Sequence, residues 1–317
     1  MSYPRMMRIH QHFDSPTLHD PAVTVREELT KFPLSSQIRQ GDTIAITVGS
    51  RGIANIAPII KTLVEELKSY GAIPFVVPAM GSHGGGTAEG QRTIVEGYGV
   101  IEDYTGAPVK STMEVVHVGS IEDGIPVYFD KYAYNADHVA VVGRIKPHTE
   151  FSGDIESGLH KMMLIGLGNH RGARAYHKAF SHYSFDHIVR TVGRVVIEKS
   201  NILLGLAIIE NHYDETALIR AVAPEDFLAQ EKELLILARE WIPRLPFQHV
   251  DLLIVDQIGK ETSGTGMDTN VIGRKDYSHS PAQEPFPKVT RIYVRDLTEE
   301  THGNATGIGI ADFTHTR

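Results

Sequence analysis

The segment from Arg144 to His177 holds the densest group of side chains in this chain that could do acid–base or metal chemistry. It contains four histidines, at positions His148, His160, His170 and His177. A histidine with its ordinary pKa of about 6.5 takes up and releases protons near neutral pH, and its neutral imidazole is a frequent metal ligand. The spacing matches no zinc motif, because HExxH is absent and no carboxylate pair stands at helical spacing from a histidine. We assign His160 and His170 to core or surface roles.

Lys161 lies in the same segment and precedes the apolar residues Met162, Met163 and Leu164. An apolar setting desolvates an amine, which lowers its pKa and makes it a usable nucleophile. The alternative is a surface lysine whose alkyl stem covers apolar neighbours.

A glycine-rich turn, Gly81–Thr87, carries His83 between a predicted strand and a predicted helix. Backbone amides in such a turn can hold an anion at the helix N-terminus. The pattern is neither a Walker A motif nor GxGxxG, so a nucleotide site does not follow from it. The alternative is a tight turn with Thr87 as the helix N-cap.

The composition excludes several classes of site. The chain has 317 residues, a formal net charge of −8, 17 histidines and no cysteine. Without cysteine it can form no disulfide, thiolate metal site or cysteine nucleophile. The acidic balance argues against nucleic-acid binding, which needs clustered Lys and Arg. The polar N-terminal stretch contains no apolar targeting segment, so we expect a cytoplasmic protein without a membrane partner.

Strands and helices alternate in the predicted order. Runs of β-branched residues predict strands, and apolar residues at helical spacing predict helices. The predicted strands are 43–48, 73–77, 138–142, 202–210 and 250–256, and the predicted helices are 55–70, 87–98, 185–199 and 225–241. This alternation predicts an α/β fold with a mainly parallel, Rossmann-like sheet, which binds ligands at the carboxyl ends of its strands.

Pro243 and Pro246 suggest a domain boundary, since two prolines within four residues end a helix. We therefore expect an N-terminal α/β catalytic and cofactor domain at 1–245. The second α/β domain, 246–317, is short for an independent α/β domain and is expected to be incomplete.

The residues that carry chemistry resemble the nickel-pincer-nucleotide-dependent lactate racemase family. The resemblance runs from about residue 41 to the end and rests on Gly81-Ser82-His83, Pro147-His148, and Lys161 followed by His177. It implies that Lys161 binds the pyridinium-derived nucleotide covalently through a thioamide and that His177 is the protein's nickel ligand. It also implies that His83 and His148 shuttle the substrate proton while hydride moves to and from the cofactor. Partners would be a 2-hydroxy acid and the cofactor-synthesis enzymes.

Two departures from the family pattern concern the substrate. The first strand continues into Val48-Gly49-Ser50-Arg51, which keeps the family's arginine and lacks its aspartate. Ser50 and Arg51 are therefore expected at the cofactor, with Arg51 also available to a substrate carboxylate. In the second domain the pattern survives as Asp268-Thr269-Asn270, without the glutamine and lysine that follow in the family, and Arg274 is expected to contact the carboxylate instead. These changes favour a 2-hydroxy acid other than lactate.

Two further hypotheses come from different classes. One is a zinc hydrolase that uses the same histidines, for which spaced carboxylate ligands are scarce. The other is a catalytically silent binding protein of the same fold, which the lost aspartate would suit. A covalent adduct on Lys161 distinguishes the racemase hypothesis from both.

Overall fold

The computed structural model describes residues 5–122, 124–275 and 287–315. The chain divides into two compact units. The larger unit is Thr17–Trp241, and the smaller one contains 5–16, 242–275 and 287–315. The division after Trp241 lies near the prolines that suggested a boundary, whereas residues 5–16 group with the C-terminal unit.

The strands and helices follow the chain in this order. The strands are β1 (Thr43–Val48), β2 (Ile73–Pro78), β3 (Val115–Ser120), β4 (Pro126–Asp130), β5 (His138–Arg144), β6 (Ile202–Glu210), β7 (Thr216–Val222), β8 (His249–Ile258), β9 (Lys288–Leu297) and β10 (Phe313–Thr314). The helices are α1 (Pro21–Leu29), α2 (Leu34–Gln37), α3 (Ile56–Ser69), α4 (Ala88–Gly97), α5 (Glu102–Thr105), α6 (Lys131–Tyr134), α7 (Leu159–Lys161), α8 (Asn169–Ala179), α9 (Phe185–Lys199), α10 (Phe227–Glu240) and α11 (Thr269–Ile272).

A five-stranded sheet in the order β2-β1-β5-β6-β7 forms the centre of the larger unit. Its first four strands are parallel, and β7 pairs antiparallel with β6. Alternate residues of β5 enter two separate cores, with Val139 and Val141 on one face and Ala140 and Val142 on the other. A sheet covered on both faces explains why its strands are continuously apolar. The predicted α/β class with a mainly parallel sheet is confirmed.

The smaller unit contains a three-stranded parallel sheet in the order β10-β9-β8. Its core is formed by six buried apolar side chains: Ile258, Met267, Ile272, Val289, Ile292 and Val294. Among the residues that the structure describes, no helix combines the length and the apolar character needed to cross a lipid bilayer.

Candidate active site

The loops after β1 and β2 meet through Ser50 and His83. The Nδ1 atom of His83 is hydrogen-bonded to the Ser50 hydroxyl. The Tyr98 hydroxyl donates to the Ser50 carbonyl oxygen at 2.7 Å, so Ser50 is held from both its side chain and its backbone. The loop predicted to contact the cofactor is thereby joined to the loop that carries His83.

The glycine-rich turn depends on backbone conformations that other residues rarely adopt. Gly84, Gly85 and Gly86 all have positive φ, and a Cβ at Gly84 would stand 2.7 Å from the backbone nitrogen of Gln91. The amide of Gln91 is buried and donates to the carbonyl oxygens of Gly81 and His83, at 3.0 and 3.3 Å. Thr87 caps α4 by accepting the Gly90 N–H, as the second interpretation of this turn predicted, and anion binding by the turn stays a prediction.

Lys161 is placed at the carboxyl edge of the sheet by the residue that follows it. α7 continues into a π-helical turn, Met162–Gly166, and the Met162 side chain packs against Gly49 after β1 and Gly143 in β5. A Cβ at Gly143 would lie 2.9 Å from Met162, so these glycines let the turn approach the strand ends. Lys161 therefore lies where a parallel sheet binds ligands.

Burial lowers the pKa of Lys161 to about 8. Arg51 and Lys146 lower it further, while the carboxylates of Glu150 and Glu156 oppose the shift. The amine contacts Ser157 Oγ at 3.5 Å. At pH 7 a pKa of about 8 leaves roughly a tenth of this lysine as the neutral, nucleophilic amine, far more than an ordinary lysine provides.

His177 lies on α8 and belongs to the same electrostatic cluster as Lys161. Desolvation lowers its pKa, Lys161 lowers it further, and Glu150 opposes both. The imidazole is therefore neutral at physiological pH, which is the form that binds a metal. Its ring stands edge-on to Phe180, with 5.6 Å between the ring centroids.

His148 reaches the same region through aromatic contacts. Its ring stacks on Phe151 at 4.7 Å, and Phe151 packs against both Phe180 and Phe185. Nδ1 of His148 accepts the backbone N–H groups of Glu150 and Phe151, at 3.0 and 3.2 Å. An accepting Nδ1 assigns the imidazole proton to Nε2.

Several residues of this cluster were not singled out from the sequence. Arg144 at the end of β5 forms an ion pair with Glu210 at the end of β6, and Glu210 also accepts the Ala54 N–H at 2.6 Å. Arg144 and Tyr98 both lie close enough to Arg51 to influence its pKa, which desolvation lowers first of all. For Arg144 and Glu210, the positions at the ends of adjacent parallel strands were the signal that could have indicated them.

His160 and His170 take the core and surface roles expected of them. His160 is buried and bonded to Glu231, whereas His170 is exposed and its Nδ1 would lie 3.2 Å from a Cβ at Gly86.

Arg274 lies in the smaller unit, where its guanidinium forms hydrogen bonds with other residues of that unit. It donates to Asp312 at 2.8 Å and to the carbonyl oxygens of Thr290 and Val289, at 2.9 and 3.3 Å. These bonds join the end of α11 to β9 and to the segment before β10. The interactions account for the arginine structurally, and its contact with a substrate carboxylate stays a prediction.

A protein-only metal centre does not emerge from the described residues: in 5–122, 124–275 and 287–315, no three His, Asp or Glu side chains group so as to hold a metal ion.

The mainly parallel sheet, with a charged cluster at its carboxyl edge, defines an α/β protein. Residues 7–187 match the family model described as the lactate racemase N-terminal domain. The chain belongs to the lactate racemase family.

Two solved structures are similar in fold. The lactate racemase apoprotein from Thermoanaerobacterium thermosaccharolyticum has a TM-score of 0.61 at 14% identity, over 88% of this chain and 68% of that one. A protein from Thermotoga maritima also has a TM-score of 0.61, at 13% identity, over 90% of this chain and 72% of its own. No curated protein matches the sequence.

Proposed function

We propose that this protein is a racemase or epimerase that inverts carbon 2 of a 2-hydroxy acid other than lactate, using a nickel-pincer nucleotide. The observation that carries the proposal is the single electrostatic cluster of Lys161, His177 and Arg51 at the carboxyl edge of the sheet. These are the residues that the family resemblance assigns to cofactor attachment, nickel ligation and anion contact.

The donor set fits that cofactor. Lys161 is an amine with a pKa of about 8, suited to covalent attachment, and His177 offers a neutral imidazole. Imidazole suits nickel, and Arg51 with Ser50 would hold the nucleotide's anionic part. When bound, this cofactor supplies an acceptor and donor of hydride.

His83 and His148 would move the hydroxyl proton of the substrate. If His83 donates Nδ1–H to Ser50, its Nε2 carries the lone pair that a base needs. His148 has the opposite pattern, because its Nδ1 accepts two backbone N–H groups and its Nε2 is protonated. We assign proton removal to His83 in this arrangement. For the other enantiomer His148 would take that role as the other tautomer, with its proton on Nδ1 and the lone pair on Nε2, after Nδ1 has released the two N–H groups.

The proposal of a substrate other than lactate rests on the residues that precede Arg51. Position 48, where the family's Asp-x-Thr-Arg pattern has its aspartate, is a valine here, and the stretch Val48-Gly49-Ser50 contains no acid. Arg51 is therefore flanked by a hydroxyl instead of a carboxylate, which suits a substrate with a second anionic or polar group.

The test is to produce the chain together with the cofactor-synthesis enzymes and nickel, and to measure its intact mass. We expect an adduct on Lys161, absent from Lys161→Ala. A screen of 2-hydroxy acids followed by circular dichroism would then identify the acid that is inverted. An unmodified chain with stoichiometric zinc would contradict the proposal and support a hydrolase.

Histidine variants test the proton-transfer roles. We expect His83→Ala and His148→Ala each to abolish racemisation and to retain the adduct. His170→Ala is the matched control, since His170 is an exposed histidine beside the same glycine-rich turn, and it should retain activity. Full activity in either of the first two variants would refute the two-base assignment.

A further inference from the structure

The loop between His148 and Lys161 is held by charged side chains of α10. Glu156, in this loop, is almost completely buried, with 1% of its side chain exposed. One carboxylate oxygen accepts from Arg239 of α10 at 2.7 Å and from the Gly153 N–H at 3.3 Å. The other oxygen accepts the backbone N–H of His148. A single buried carboxylate therefore connects α10 to the backbone of a proposed proton-transfer residue.

Arg239 also contacts the loop directly. Its guanidinium donates to the Gly153 carbonyl oxygen at 2.6 Å, in addition to its ion pair with Glu156. One guanidinium therefore binds both the Glu156 carboxylate and the Gly153 carbonyl oxygen, and these two contacts fix the orientation of the loop relative to the helix.

The other end of the loop is held by Glu231, also on α10. This buried carboxylate accepts the backbone N–H of His160 at 3.1 Å and is bonded to the Nδ1 atom of the same residue. A Cβ at Gly158 would stand 1.9 Å from Glu231, so glycine is required for this approach. Lys161 follows His160 directly.

Two charged residues of α10, the acceptor Glu231 and the donor Arg239, thus act at the two ends of one segment. Glu231 and Arg239 are eight residues apart in the sequence, which separates them by about 12 Å along the helix axis.

We propose that α10 positions both proposed site residues: Arg239 sets the backbone of His148 through Glu156, and Glu231 sets Lys161 through His160. This inference rests on the roles given to His148 and Lys161 above. Arg239, Glu156, Glu231 and His160 are positioning residues, because they act through their neighbours.

Amide hydrogen exchange of the full chain without cofactor tests the first contact. Removing the guanidinium in Arg239→Met leaves Glu156 buried without its cation, and the N–H groups of His148 and Gly153 depend on that carboxylate. We expect these two amides to exchange roughly tenfold faster, with exchange in the core strand β6 unchanged. Arg239→Lys should restore most of the protection.

Lys232→Met is the matched control. Lys232 lies on the same helix and forms an ion pair with the same loop, at Asp154, but Asp154 is 57% exposed. Exposed pairs contribute little, so exchange should change by about twofold or less. Glu231→Gln, which keeps the shape and loses one acceptor, should accelerate exchange at His160 and leave Gly153 unchanged.

The loaded enzyme gives the functional readout. We expect Arg239→Met to lower kcat about tenfold with KM within about twofold, because the alignment of His148 changes and the anion contacts do not. Unchanged exchange at His148 and Gly153 in Arg239→Met would overturn the proposal, as would a loosened loop with an unchanged kcat. Failure of the proposed function would give a different result: the wild-type chain would carry the adduct and invert no 2-hydroxy acid.

Discussion

The hydroxyl of Ser50 and the Nδ1 atom of His83 are hydrogen-bonded, although the two residues lie 33 positions apart on the loops after β1 and β2. The bond orients the imidazole and decides which of its nitrogens faces away from Ser50. The serine therefore does for this histidine what a carboxylate does in many acid–base sites, with a neutral partner in place of a charged one.

Ser50→Ala should reduce the racemisation rate without preventing cofactor attachment. The variant removes the group that orients His83, and a lost hydrogen bond of about 1–1.5 kcal/mol corresponds to roughly a tenfold lower rate. The measurement is kcat on the acid identified by the screen, with the Lys161 adduct quantified by intact mass. Ser82→Ala, an exposed serine in the neighbouring turn, is the control and should retain full activity.

Lys161 should titrate near pH 8, and its neighbours should move the midpoint in opposite directions. Arg51 lowers the pKa and Glu150 raises it, so Arg51→Met should shift the midpoint upward and Glu150→Gln should shift it downward. The measurement is the pH dependence of amine acylation, read at Lys161 by peptide mass spectrometry. An unstructured lysine peptide, with an ordinary pKa of about 10.4, calibrates the reaction. A wild-type midpoint near that of the peptide would contradict the burial argument.

Asp130 should make the fold less stable as the pH rises from about 4 to 6. Burial raises its pKa to about 6, above its ordinary value, despite hydrogen bonds from Ala133, Asn169 and Tyr132. The folded state therefore binds more protons than the unfolded state in this window, so the free energy of unfolding falls with increasing pH. A shift of about two pKa units corresponds to roughly 3 kcal/mol.

Chemical denaturation at a series of pH values measures this dependence. Asp130→Asn keeps an acceptor for the N–H groups at the start of α6. It should flatten the dependence of the unfolding free energy on pH between pH 4 and 6. Asp137→Asn is the control. The backbone and side-chain hydrogen bonds from Thr43 lower the pKa of Asp137, so it titrates below this window. A slope that persists in Asp130→Asn would assign the effect to another group.

Gly193→Ala should destabilise the protein by about 1–3 kcal/mol, because overpacking forces side chains out of place. A Cβ there would lie 2.6 Å from the His160 ring, which is buried and held by Glu231. Gly97, near the end of α4, meets no atom within 4 Å, so Gly97→Ala should be neutral or stabilising by up to about 1 kcal/mol. The melting temperatures of both variants test this prediction. Equal melting temperatures would show that the His160 ring can move aside.

The elements predicted from the sequence were those whose patterns are local. β1, β6 and α9 have the predicted bounds, because β-branched runs and helical apolar spacing need no distant partner to be recognised. The antiparallel strand β7 and the β3–β4 hairpin were missed. Their pairing partners are chosen by tertiary contacts, and strand propensity depends strongly on such context.

In the candidate site, too, some residues could be named from the sequence and others only from the structure. His83, His148, Lys161 and His177 were named from residue type and from the family resemblance, and their roles stay proposals. The sequence around Glu156, Glu231 and Arg239 contains no motif that would single these residues out. Their importance arises from burial and from contacts as distant as 83 positions, which spacing alone does not reveal.

The position of α10 has a consequence for how the protein is made. Its residues are the last of the larger unit to leave the ribosome, and Arg239 follows Glu156 by 83 positions. At 5–20 residues per second, this interval corresponds to roughly 4–17 s of synthesis. During that time His148 and Lys161 exist in the nascent chain without the helix that holds their loop. A chain interrupted before α10 would contain every proposed catalytic residue of the larger unit and lack their arrangement.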